Sequence, residues 1–475
     1  MLTASWPQHS NGEDVVSLPF LDRAPAATPV AVVAPSVWPA WLRRQSAVAR
    51  AWLQASGIGG RPGDFALLPG DEGRAGLAML VRSATPTMWD YGALAGKLPP
   101  GDYALVGDSA PVSLVDACVA FALGSWQFVR YREARKTRPR LVWPAKIDRA
   151  AVERIADSVC LARDLITTPS NDMGPAELAA EARKLARRHR ARFAVVAGNE
   201  LLRRNYPVIH AVGRASTRAP RLIDIVWGRP GAPKVTLIGK GVCFDSGGLD
   251  LKPAAGMLMM KKDMGGAATV MAAAAMVMAA RLNLRLRVLI PAVENSVAGN
   301  AFRPMDVIKS RKGLTVEIGN TDAEGRLILC DALAEAVREE PAMVIDVATL
   351  TGAARVALGP EVPALFCNDD ALANGLLKAA DDSEDPLWRM PLWRGYRRLL
   401  DSKVADINNA SASPMGGAIT AALFLQTFVP DSVPWAHIDT MAWNQTTQPG
   451  RPEGGEAMGA RAIYRMLASK YPPRR

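Results

Sequence analysis

Four long apolar runs restrict this chain more than any other feature: LIDIVW (222–227), KVTLIGKGVCF (234–244), LRLRVLIPAV (284–293) and AMVIDVAT (342–349). LTVEIG (314–319) is a shorter fifth candidate. Stretches with helical spacing separate them. Runs that stay apolar without alternating belong to strands buried on both faces, so a sheet covered by helices is expected. Met264 to Ala280 carries no charge over 17 residues, but it is built from alanine and glycine and falls short of a membrane span. A helix apolar all round is a core helix, and no membrane partner is expected.

At 475 residues the chain exceeds one ordinary core. Shorter apolar runs, DFALLPG (64–70), GLAMLVRS (76–83) and DYALVG (102–107), alternate with helical patterns around 86–97 and 113–127, as in a small α/β domain. The basic stretch RYREARKTRPR (130–140) marks a boundary, and Val152, Ile155, Val159 and Ala162 have helical spacing. The expected organisation is α/β in two domains: a smaller N-terminal α/β domain over 1–147, a linking helix over 148–168, and a larger C-terminal α/β domain over 169–475 with a mixed central sheet.

The net charge of +11 is compatible with acidic partners but fixes neither fold nor chemistry. The basic helix at 180–193 reads as a solvated face, because no aromatic residues interleave its charges and no binding module accompanies it. Nucleic-acid binding is therefore allowed and not favoured. Five cysteines, none in a C-x-x-C pair, argue against a disulfide framework or a thiolate zinc site and suit a reducing cytoplasm. The first sixteen residues lack a basic region followed by an apolar one, so no secretory signal is expected. Cys243, between Val242 and Phe244, reads as a packed thiol.

The chemistry gathers in LIGKGVCFDSGGLDLKPAAGMLMMKKDMGG (237–266) and NTDAEGRLIL (320–329). Lys240 and Asp245 interrupt an apolar run, which is costly unless the charges are paired or bound to a metal. Each acid also has an ordinary explanation. Asp263 could cap the alanine-rich helix, and Thr321 with Glu324 forms a capping-box pattern. Together, Lys240, Asp245, Lys252, Asp263, Asp322 and Glu324 fall at the ends of neighbouring elements, where α/β sheets build ligand sites. The GKG turn lacks the rest of a phosphate loop or dinucleotide fingerprint, and no G-x-S-x-G elbow or H-E-x-x-H pair occurs. A metal site here must be carboxylate-rich, suited to divalent ions bound through oxygen.

GKGVCFDSGGLDLKP, MKKDMGGAA and NTDAEGRL, in this order, resemble the leucyl aminopeptidase family of two-metal peptidases. LARDLITTPSNDMGPAEL, VATLTGA, PMGGAITAALFL and PWAHIDTMAW extend the likeness over 160–445. It implies that one metal is held by Lys240, Asp245, Asp263 and Glu324, and the other by Asp245, Asp322 and Glu324, with Asp322 adding its backbone carbonyl. The ions implied are Mn²⁺ or Zn²⁺. Lys252 would polarise the substrate carbonyl, and Arg326 would hold a bicarbonate acting as general base. Met260, Asn320, Thr349, Leu350, Gly352 and Met458 would form the pocket for an apolar first residue such as leucine. The resemblance further implies short peptide substrates, a homo-hexamer and a cytoplasmic location. One stretch departs from the family pattern: AMGARAIYRML (457–467) stands where a T-G-R-P-like sequence is usual, which leaves the Met458 wall open. Glu324 cannot serve two metals and also cap well, so its helix should start without that cap. The alternative of another class is a DNA-binding or regulatory protein on the same scaffold.

Overall fold

The computed structural model describes residues 18–71, 74–107, 112–132 and 138–474. The N-terminal region read for a secretory signal, and the middle of the basic stretch at 130–140, lie outside the described residues. The chain divides into two compact units, one from 18–125 and 138–149, the other from 126–132 and 150–474.

The smaller unit is α/β. Its six-stranded sheet runs in the order Phe20–Leu21, Pro139–Val142, Gly101–Val106, Thr28–Val33, Ala75–Val81, Phe65–Pro69. All neighbours are parallel except the last pair. The apolar runs near 64, 76 and 102 supply three of these strands.

The larger unit holds a mixed nine-stranded sheet. At its centre Trp435–Asp439, Met343–Ala348, Lys234–Gly239 and Arg285–Asn295 lie parallel in that order, with antiparallel strands towards both edges. Every residue of Met343–Ala348 is buried, as its unbroken apolar run requires. Consecutive residues show that helices cover both faces. Ile238 packs in the cluster with Leu327, Leu329 and Leu333 of the helix Glu324–Ala336. A Cβ on its neighbour Gly239 would lie 2.5 Å from Ala267 Cα, in the opposite helix Gly265–Ala279. That second helix is the uncharged one, buried throughout except at its last residue. No helix among the described residues is long and apolar enough to cross a membrane.

Two strand expectations need correction. KVTLIGKGVCF is not one strand but two, Lys234–Gly239 and Gly241–Asp245, broken at Lys240. The first pairs with strands on both sides, whereas the second pairs with Arg285–Asn295. The sheet therefore forks at Lys240. LTVEIG contributes only Thr315–Glu317, and this belongs to a separate three-stranded sheet with Val307–Lys309 and Ile407–Asn408. Only Val316 of the three is buried, which suits a small sheet beside the core.

Candidate active site

The fork explains why a lysine can interrupt a buried strand. The Lys240 amide donates to Val347 O (3.0 Å) and its carbonyl accepts from Ala267 N (2.9 Å). The backbone is thus satisfied by a strand and a helix start while the chain steps out of the ladder. The side chain, in a residue only 2% exposed, extends to Asp263 Oδ2 (2.7 Å), Glu324 Oε1 (2.9 Å) and Thr349 O (3.0 Å). Burial pulls its ammonium down, but Asp263, Glu324 and Asp245 outweigh that and hold it above the ordinary lysine range.

Asp245 ends the forked strand. Its Oδ1 accepts from Gly247 N and Asn295 Nδ2, both at 2.9 Å, and its Oδ2 faces Lys252 Nζ at 2.9 Å. Gly247 turns the chain here with φ +90°, a conformation that favours glycine. Lys252 also contacts Asp322 Oδ1. Its burial lowers its pKa, and the charges of Asp245 and Asp322 more than restore it. Asp263 lies in the 3₁₀ turn Met260–Met264, and its Oδ1 accepts from Thr349 Oγ1 (2.7 Å). It does not cap the following helix, whose N-cap is Met264 with no side-chain bond.

The NTDAEGRL turn settles its two readings in the same way. Thr321 Oγ1 donates to Gly247 O (2.6 Å) and accepts from Asp250 N (2.8 Å), so it is spent on holding the turn. Glu324 is already the first helical residue and the N-cap, Ala323, forms no side-chain bond. The capping box is not made, as expected. Freed from that role, Glu324 points into the cavity.

Asp245, Asp322 and Glu324 offer oxygens that all lie within 4.8 Å of one another. At an effective dielectric of 20 each ionised pair at that separation repels by about 3 kcal/mol. Burial first, then the charge of Asp245, raises Asp322 to about 6 and Glu324 well above the carboxylate range. Four carboxylates here share ion pairs with only two lysines, Lys240 and Lys252. Asp263 Oδ2, Asp322 Oδ1 and Glu324 Oε1 are buried and lack hydrogen-bond geometry, although a lysine stands at ion-pair distance from each. Oxygen donors crowded in this way, with lone pairs unused, fit divalent cations.

Around this cluster is a cavity of about 390 Å³, reached by Met260, Asn320, Thr349, Leu350 and Gly352 as well as by all seven charged residues predicted. Met458 is buried and is not among the described residues lining that cavity. A larger cavity of about 540 Å³, lined by Arg203, Arg204, Arg311 and Lys312 among others, contains none of the predicted residues. Its basic side chains are tied to Glu200, Glu335 and backbone carbonyls, so its size carries no chemistry.

Arg326 donates to Asn409 O (2.8 Å), while its Nε is buried without a hydrogen-bond partner. Burial pushes its guanidinium down to about 10. Asn409 escapes a reading of the sequence, yet it pins the whole turn. Its side chain accepts from Gly319 N and Asn320 N and donates to Asn320 O and Ala323 O. Asp439 is also missed. It accepts from Leu350 N (2.9 Å), Thr351 N (3.2 Å) and Thr351 Oγ1 (2.6 Å), and so fixes the wall loop. Lys262, another cavity residue and the second lysine of MKKDMGGAA, is also missed. It is 1% exposed, and burial pushes its ammonium down to about 8, with Asp263 opposing. Cys243 is fully buried and its thiol is raised by burial, in keeping with a packed residue.

Known proteins resemble this chain along most of its length. The catalytic-domain profile of the cytosol aminopeptidase family matches residues 160–464, and the N-terminal domain profile of the M17 aminopeptidases matches 28–144. A "Probable cytosol aminopeptidase" of Syntrophotalea carbinolica is 46% identical over 325 residues, which span 67% of this chain and 65% of that protein. Another of that name, from Roseiflexus castenholzii, is 42% identical over 363 residues, 73% of this chain and 74% of its own. The crystal structure of the cytosol aminopeptidase from Coxiella burnetii superposes with a TM-score of 0.92 at 47% identity, covering 95% of this chain and 99% of that one. The bottromycin maturation enzyme BotP in complex with Mn gives a TM-score of 0.83 at 35% identity, over 94% of this chain and 100% of its own. Sequence profiles, relatives and fold converge, and the chain belongs to the cytosol aminopeptidase family, whose members are metal-dependent exopeptidases.

Proposed function

We propose that this chain removes the first residue from short peptides with a free N-terminus, in a site that takes two divalent ions, manganese or zinc. The observation that carries this reading is the gathering of Asp245, Asp322 and Glu324 within 4.8 Å, joined to Asp263 through Lys240. Lys240, Asp245, Asp263 and Glu324 would hold one ion. Asp245, Asp322 and Glu324 would hold the other, with the Asp322 carbonyl as a further donor. Such ions would supply an acidified water for attack on a carbonyl and an anchor for the substrate amine. Lys240 must give up its proton to act as a ligand, and replacing the ammonium by a cation among the same carboxylates removes the reason it is held charged.

The chain's own groups do the rest. Lys252, at the open edge of the cluster, donates to the oxygen of the scissile carbonyl as negative charge develops there. Arg326, with its Nε free of a partner in a buried setting, would hold an anion such as bicarbonate, which supplies a general base in a site without histidine. Asn409 and Asp439 keep the turn and the wall loop in place. Met260, Leu350 and Ala353 give the wall an apolar part suited to a side chain such as leucine, but Lys262 and Arg355 stand on the same wall. A homo-hexamer in the cytoplasm completes the reading and rests on the family resemblance. DNA binding on this scaffold gains no support from the matches.

The test is a pair of peptides differing only in N-acetylation, given to the manganese-loaded protein. The free peptide is cleaved after its first residue and the acetylated one is not. Equal cleavage of both overturns the reading.

A further inference from the structure

The cavity wall that receives the first side chain carries a cation with nothing to bind. Lys262 is 1% exposed, and its Nζ has neither a hydrogen bond nor an ion pair among the described residues. The nearest acids are engaged elsewhere. Asp263 is held by Lys240 and Thr349, and Asp439 accepts three hydrogen bonds from Leu350 and Thr351. A buried ammonium left in this state is destabilising, and the structure keeps it beside a cavity.

A second cation shares that wall. Arg355 stands one turn into the helix Gly352–Leu358, half-buried, and makes no ion pair among the described residues. Among the described residues its polar contact is with Met441 Sδ at 3.6 Å, a weak acceptor. The charge of Arg355 acts on Lys262, so neither cation relieves the other, and Met260, Leu350 and Ala353 line the same cavity. A short methylene chain ending in a carboxylate satisfies all of these groups at once. Leucine leaves both cations unpaired.

We propose that the pocket selects peptides whose first residue is acidic, glutamate or aspartate, with Lys262 and Arg355 receiving its carboxylate. This rests on the aminopeptidase reading and replaces the leucine preference within it. Charge-assisted bonds to a desolvated carboxylate are strong and sensitive to loss of that charge.

Glutamate and glutamine are nearly the same shape, so the pair isolates the charge. The full-length, manganese-loaded protein is given Glu-Ala, Gln-Ala and Leu-Ala, and kcat/KM is measured for each. Glu-Ala is expected to exceed Gln-Ala by roughly 10- to 100-fold and to exceed Leu-Ala as well. In Lys262→Met and in Arg355→Gln the Glu/Gln ratio falls by about tenfold or more, chiefly through KM. Arg355 is half-buried, so its variant keeps the test open if Lys262→Met does not fold. A wild-type ratio near one, or faster cleavage of Leu-Ala, overturns the proposal while leaving the aminopeptidase reading intact. A ratio unchanged in both variants assigns Lys262 to balancing the charge of Asp263 and overturns it too. Failure to cleave any of the three removes the aminopeptidase reading and the proposal with it.

Discussion

At position 325 the side chain that is missing matters more than most that are present. A Cβ there would lie 2.6 Å from Lys240 Cε and 2.7 Å from its Nζ. A lysine tip usually yields to such a clash, but this one is buried and held by Asp263, Glu324 and Thr349 O. Gly325→Ala therefore displaces the group that links Asp263 to Glu324. The expected result is weaker Mn²⁺ binding in calorimetry, loss of peptide cleavage, and a loss of stability of about 1–3 kcal/mol in urea. Unchanged Mn²⁺ affinity would show that Lys240 is not needed where it stands. Residue by residue, the charged half of the site was legible, because Lys240 and Asp245 interrupt an apolar run and Glu324 lies in the long NTDAEGRL motif. The polar supports were not. Asn409 lies some eighty residues from the turn it holds, and nothing local marks an asparagine that serves five distant groups. Lys262 was hidden for the opposite reason: a lysine pair in sequence reads as surface, and only packing shows one member turned inwards.

Among the elements, the helix Gly265–Ala279 is where periodicity says least and burial says most. With no polar stripe it has no preferred face in sequence, and it sits with the strands Lys234–Gly239 and Met343–Ala348 and the C-terminal helix Ala460–Lys470 against it. Its one hydroxyl is an exception inside this apolar setting. Thr269 is fully buried and its Oγ1 has no hydrogen-bond partner. Thr269→Val keeps the shape and removes an unsatisfied polar atom, so stability should rise by about 1 kcal/mol in urea unfolding. A fall of that size would mean the hydroxyl is bonded after all. The fork in the sheet was invisible for a related reason. KVTLIGKGVCF has the composition of a single strand, and only the neighbours available on each side of Lys240 decide that it splits. Thr315–Glu317 was likewise placed in the wrong sheet, since alternation identifies a strand but not its partner.

For the whole molecule, the crowding of carboxylates at the site links metal to stability. The carboxylates that repel one another when metal is absent are the ones a divalent ion would join, so the folded state gains what the ion contributes. At a hundredfold excess over its dissociation constant a ligand adds about 2.7 kcal/mol, which is a rise of a few degrees in the melting temperature. Protein stripped with a chelator and then supplied with Mn²⁺ or Zn²⁺ should show this shift in differential scanning fluorimetry, and Glu324→Ala should not. A shift of equal size in that variant would place the ion elsewhere. The division of the site among distant segments has one more consequence, and it concerns time. Lys240 begins the cluster, but Arg326 is not held until Asn409 is present. At roughly 5–20 residues per second the ribosome needs on the order of ten seconds to pass from one to the other. If Arg326 holds the base as proposed, a peptidase assembled this way would be silent while it is being made, and a fragment ending before Asn409 would not cut its neighbours.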